Sequence, residues 1–295
     1  MFTAQRFSVG GSVAHTLMRR YETRGKSLEN IDINEVFASQ AGAFSEANRK
    51  LMELLVKLHE DFNAGQFGDW PTVIFATQLS TLGISMLSIL PSAEESEQIV
   101  DMRSIASLIR NVVDTHDALE MLVNEPDPLR FQLHRDILGY YIAGRYKEVQ
   151  KRIAPEKAEE FYKYTSINYW KNIRNSPLYS KKIERLKNSE GIFYQSRKER
   201  VERVFKSHAN FIQGILADIS TYVHSLPPTN FFSSLDDQCK NTARNIGLLA
   251  VWVQLLNVYM ARCIEIIYSV TSYEIDDFLV SYMQNYQNAF GGNVS

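Results

Sequence analysis

Cysteine is scarce in this chain. Only two cysteines occur among 295 residues, Cys239 and Cys263. Both fall in helical patterns and match no metal-ligand spacing, so neither a thiolate metal centre nor a secreted disulfide scaffold is indicated. No Asn-Gly or Asp-Gly pair lies between alternating apolar residues, so no tight hairpin is announced. There is no repeat period, no low-complexity tract and no nucleophile elbow. The inward Glu-x-x-His pairs of di-iron bundles are missing too. Met1 to Arg20 lack the basic-then-apolar order and cleavage site of a signal peptide. The expectation from these absences is a cytoplasmic protein with no metal and no cofactor.

Long uncharged runs are few. Pro71 to Ala93 carries no charge, and Ile246 to Ala261 is almost wholly apolar. A membrane span needs about 20 predominantly apolar residues. The first run is diluted by Thr72, Thr77, Gln78, Ser80, Thr81, Ser85 and Ser88. The second holds Gln254 and Asn257 and runs into Arg262 and Glu265. Both read as helices buried inside a protein rather than in a membrane.

What is present is helix punctuation. Trp70-Pro71 puts a proline at a first helical position, and Pro91 closes that helix. Ser92 with Glu95 has capping-box spacing and opens a long helix to about Asn124. Asp127-Pro128 reads as cap plus first-turn proline for a helix through about Ile153. Pro155 and Ser176-Pro177 repeat the device. One helix runs from near Lys198 to Pro227-Pro228, another from about Ser234 to Thr271, and a shorter one follows Ser272. Before them, Asn34 caps a helix reaching about Asn63. The expected fold is all-α, a multi-helix bundle of long helices with a basic, short-helix lobe inserted. Its core would take residues 1–144 and 198–295, the lobe residues 145–197, within one continuous domain.

Charge is distributed unevenly. Residues 145–206 carry 17 Lys and Arg against 8 Glu and no Asp, while the whole chain has a net charge of −2. Aromatics, among them Tyr146, Tyr164, Tyr169, Trp170, Tyr179 and Tyr194, are threaded through this basic stretch. Such a surface suits a polyanion, either a nucleic acid or an acidic protein. Lys181, Lys182, Arg185, Arg197, Lys198 and Arg200 are the candidate contacts. The acid-rich remainder suits the basic lobe of another copy, so a homo-oligomer fits on charge alone.

Two histidines stand where aliphatic residues are expected. His116 falls in the stripe Ile105, Ile109, Val112, Leu119 and Val123, and His208 in the stripe Val201, Val204, Ile212, Ile215, Ile219 and Val223. The plainer account is two neutral core histidines, each hydrogen-bonded to a neighbouring helix. The sharper one is a polar inter-helix pocket where they converge, suited to acid–base work or a small molecule. Arg110 and Asp114 are one turn apart and share a face, as are Ser220 and His224.

These last residues carry a resemblance. Ile105 to Asp114 resembles the Arg-x-x-x-Glu helix of a bacterial all-helical family of unknown function. Ile219-Ser220-Thr221-Tyr222-Val223-His224 resembles that family's later Leu-Ser-x-x-x-His segment. The resemblance implies site roles for Arg110, Asp114, Ser220 and His224, with Asp114 a shorter reach than the usual Glu. Arg110-Asn111 followed by His116 also resembles the Arg-x(4–6)-His pattern of the HEPN helical superfamily. That likeness implies RNA cleavage or defence, with Arg110 neutralising the phosphate and His116 moving a proton. Three functions follow: a non-enzymatic binding module, an RNA-cleaving enzyme using Arg110 and His116, and a small-molecule pocket.

Overall fold

The computed structural model describes residues 32–92, 100–153, 166–188, 192–223 and 243–287. Every regular element among them is a helix. The protein is all-α, as its punctuation and apolar periodicity indicate.

Caps set the ends. Helix α1, Ile33–Asn63, starts at Asp32, whose carboxylate accepts the Asn34 N–H at 2.8 Å. Asn34, expected as the cap, is therefore already inside the helix. Helix α2, Trp70–Ile89, is capped by Asp69 with Pro71 in its first turn. Helix α3, Met102–Leu122, begins beside Asp101, which accepts the Ser104 N–H at 3.0 Å. Its start lies later than Ser92 and Glu95 suggested, and Glu95 is outside the described residues. Helix α4, Pro128–Ile153, opens as expected, with the Leu129 N–H donating to Asp127 at 2.9 Å. Residues 166–175 form α5. Ser176-Pro177 makes a turn, not a helix start, and Ser180 precedes the short α6, Lys181–Glu184, which continues as the 3-10 turn Arg185–Asn188. Pro155 lies outside the described residues.

Helix α7, Arg197–Phe205, has a complete capping box. The Ser196 N–H donates to Glu199 at 2.7 Å, and the Glu199 N–H to the Ser196 hydroxyl at 3.3 Å. The chain does not run on as a single helix from here. Lys206 takes φ 44°, the left-handed region, and Lys206–His208 is a 3-10 turn before α8, Ala209–Val223. Nothing in Phe205 to His208 is Gly or Pro, so the break has no local signature. Helix α9 is Ala243–Ser269 and α10 is Asp277–Gln287.

The chain divides into two compact units. Unit 1 takes residues 1–116 and 204–295, and unit 2 takes residues 117–203. The division therefore falls well before residue 145. The reason is α4: its first half carries Leu133 and Ile137, which bury with Ile173, Ile183 and Leu186 in a core belonging to the basic unit.

Unit 1 is built around α9. Residues 249–261 of this helix are all buried, and it packs against α1, α10 and α2. The buried positions of α1 (Phe37, Phe44, Leu51, Leu54, Leu55 and Leu58) recur at helical spacing and form its contact stripe. Each fully buried side chain of this size contributes about 1.5–3 kcal/mol. By length and composition α2 and α9 are both apolar enough to cross a membrane. In α9 that apolarity is used inside the protein, since 78% of its most apolar window is buried, against 39% for α2.

Candidate functional site

Unit 2 begins from an apolar cluster of Leu133, Ile137, Ile173, Ile183 and Leu186. Tyr140, Trp170, Leu178, Tyr179, Ile192 and Tyr194 pack on it as partly buried side chains. Helix α5 has two faces. Ser166 and Ile173 are buried, with Tyr169 half-buried between them. Ile167, Trp170, Lys171 and Arg174 recur at i, i+3, i+4 and i+7, a spacing that lines up one helical side.

Close approach of α5 to α4 depends on Gly139. A Cβ built there would stand 2.4 Å from the Tyr169 ring. A mid-helix glycine costs about 1 kcal/mol relative to alanine, and here the missing side chain is what admits the tyrosine.

The outer face of α5 borders a groove of about 590 Å³, lined by Tyr140, Ser166, Ile167, Trp170, Lys171, Arg174, Asn175 and Lys187. Lys171, Arg174, Asn175 and Lys187 are exposed. The Tyr140 and Trp170 rings meet at 5.0 Å and 44°. The Tyr140 hydroxyl donates to the Lys187 carbonyl at 3.4 Å, which ties the 3-10 turn to α4. Lys187 Nζ stands 6.0 Å from the Trp170 ring centre. Among the described lining residues every charged one is a cation.

Of the expected basic contacts, Lys181, Lys182, Arg185 and Lys198 are exposed and Arg197 is half-buried. Lys182 pairs with Glu199 at 2.5 Å, and the Lys182 ammonium with the Ser196 bonds holds the Glu199 carboxyl down at about 2. Lys198 lies 3.7 Å from Glu202. Arg200 is an internal group, not a surface contact. Its Nε meets Asp117 Oδ2 at 2.5 Å with both side chains almost wholly buried. It also donates to the Gln195 carbonyl at 2.8 Å and lies over the Phe193 ring at 4.0 Å.

His134 also belongs to this unit and was not singled out by sequence. Its Nδ1 lies 3.0 Å from the Met121 carbonyl and its Nε2 3.1 Å from the Tyr194 hydroxyl. The carbonyl can only accept, so Nδ1 carries the proton and Nε2 accepts from Tyr194. Burial holds the imidazole below its ordinary value of 6.5, against the Met121 bond and Glu125, which pull it up. Arg203 and Arg130 act with burial. As pH falls below about 6.5, the unfolded chain takes up a proton that the folded unit refuses. Stability therefore declines with falling pH until the folded value is reached. Urea midpoints between about pH 7.5 and about pH 5 should fall less for His134→Asn than for the parent. Parallel falls would show that this imidazole is not the source.

The remaining candidates lie in unit 1. His116 is wholly buried and meets the Tyr259 ring edge-on at 4.9 Å. Tyr259 also meets Phe205 at 5.4 Å. His208 sits in the 3-10 turn and is half-buried, so its place in an unbroken helical stripe does not hold. Arg110 and Asp114 are half-buried on α3. Six residues along that unbroken helix turn Arg110 and His116 about 120° apart. Ser220 donates to the Leu216 carbonyl at 2.8 Å, and His224 is outside the described residues. No group of three or more His, Cys, Asp or Glu among the described residues could hold a metal.

Lys171, Arg174 and Lys187 were missed as particular contacts, and Tyr140 falls outside the basic run altogether. The available signal was the spacing Ile167, Trp170, Lys171, Arg174 on one helix. No family model, curated protein or solved structure matches the chain.

Proposed function

We propose that the protein is a non-enzymatic binding module whose basic unit holds a polyanionic partner, a nucleic acid or an acidic protein segment, in the cytoplasm. The observation that carries this reading is the groove of about 590 Å³ whose described charged lining is Lys171, Arg174 and Lys187. Three cations around two aromatic rings neutralise an anionic chain while the rings hold its apolar parts. An open catalytic site at Arg110 and His116 has no matching support, because His116 is enclosed and its ring faces Tyr259.

Salt dependence tests the reading. Three phosphate contacts on a single strand give a slope of log affinity on log salt of about −2. Binding of a labelled 12-residue oligouridylate should weaken about 20-fold between about 50 and 200 mM salt. Binding that is indifferent to salt, or absent for both oligouridylate and oligoglutamate, removes the reading.

A further inference from the structure

We infer that the groove takes single-stranded nucleic acid, stacking an unpaired base on Trp170 and gripping the flanking phosphates with Lys171, Arg174 and Lys187. This rests on the polyanion reading above and narrows it to one class of partner.

Three observations point to unpaired bases. The first is the aromatic wall. A purely acidic peptide needs cations but no indole, whereas every base offers a π face to an aromatic ring. Trp170 is half-buried, with its inner part packed on the unit 2 core and braced by Tyr140. A braced ring loses little freedom on stacking, which favours binding.

The second is the position of Lys187. Its ammonium stands 6.0 Å from the Trp170 ring centre. Successive bases rise about 3.4 Å along a strand, so a base stacked on the indole takes the place of this exposed ammonium and turns it outward. The ammonium would then be near the phosphate joined to that base. Lys171 and Arg174 are one and four residues along the same helix from Trp170, on the exposed side. Cations therefore flank the ring on both α5 and the 3-10 turn, as a backbone passing the ring requires.

The third is the groove's own lining. Three cations and the Trp170 ring border one groove of about 590 Å³. A duplex keeps its bases stacked inside and presents two phosphate rows, so it could use the cations but not the indole. Asn175, also on the wall, offers an amide donor and acceptor to a base edge.

The test uses the full chain carrying Trp70→Phe, which removes a partly exposed indole and leaves Trp170 and the wholly buried Trp252. Tryptophan emission and anisotropy are titrated with 12-residue oligouridylate, 12-residue oligothymidylate, a 12-base-pair duplex, uridine monophosphate and oligoglutamate. Both single strands should quench the emission and bind at least tenfold more tightly than the other three. Either sugar satisfies the inference, and a difference between the two identifies the natural strand. Lys171→Ala with Arg174→Ala changes two exposed side chains, so the fold is kept and circular dichroism checks it. That variant should lose at least tenfold in affinity, with the salt slope falling from about −2 to about −0.7. Trp170→Phe should keep most binding and Trp170→Ala should lose it. Duplex, mononucleotide or oligoglutamate binding as tightly as the strands would overturn this inference and leave the polyanion reading intact. An unchanged affinity in the Lys171/Arg174 variant would move binding away from the groove and overturn the inference as well. Failure of every polyanion to bind would overturn both.

Discussion

Replacing Arg200 with methionine is expected to destabilise unit 2 by about 3–5 kcal/mol, the usual result of stranding one member of a buried ion pair. The guanidinium contacts Asp117 at 2.5 Å, with side-chain exposures of 7% and 3%. It also satisfies the Gln195 carbonyl and covers the Phe193 ring. Methionine keeps much of the apolar stem and loses every charge-assisted bond, leaving the Asp117 carboxylate buried without its cation. The double replacement Asp117→Leu with Arg200→Met removes both charges and should recover most of the loss. Urea unfolding followed by circular dichroism gives the size of the effect. Hydrogen exchange over residues 117–203 gives its location. A single variant as stable as the parent would mean that the pair is solvated rather than internal. A double variant no better than the single would mean that packing, not charge, carries the contact.

Asn257→Leu should cost about 2–4 kcal/mol in unit 1, since the buried Tyr282 and the half-buried Gln40 both lose bonds to it, at about 1–3 kcal/mol for each polar group stranded. Asn257 is wholly buried in the middle of α9. Its Nδ2 donates to the Gln40 carbonyl at 3.0 Å and lies 3.2 Å from Gln40 Oε1. Its Oδ1 accepts from the Tyr282 hydroxyl at 2.7 Å. The Tyr286 hydroxyl donates to the same Gln40 Oε1 at 2.8 Å, so α1, α9 and α10 share one polar cluster. Burial also drives the Tyr282 hydroxyl well above its usual range, keeping it a donor. Tyr282→Phe removes one donor and should cost less. Combining the two should cost less than their sum, because they break the same bond. Thermal unfolding of the four proteins measures this coupling, and strict additivity would show that the two groups do not interact.

Some of this architecture was readable one residue at a time. Asp127-Pro128 caps α4 as its chemistry requires, and Pro71 sits in the first turn of α2. The stripe through Ile105, Ile109, Val112 and Leu119 put His116 indoors, where it is found. Each of those inferences uses neighbours within a few residues. Others needed partners far along the chain. Arg200 looks like any base in a basic run, and its acid lies 83 residues earlier. The break at Lys206 carries no Gly or Pro, so extending the apolar stripe across it misplaced His208. Tyr140 reaches the groove only because α4 packs against α5 beside Gly139.

Amino-acid order alone determined that this protein is helical, where many of its helices begin, and that residues 145–206 are basic and rich in aromatics. Capping, apolar period and charge are properties of short stretches, so they survive without a fold. Tertiary structure decided which cations remain outside, which one is locked against a carboxylate, and which two rings share a wall with Lys171, Arg174 and Lys187. Those outcomes depend on burial and on partners distant in the chain, and both come into being only when the helices pack.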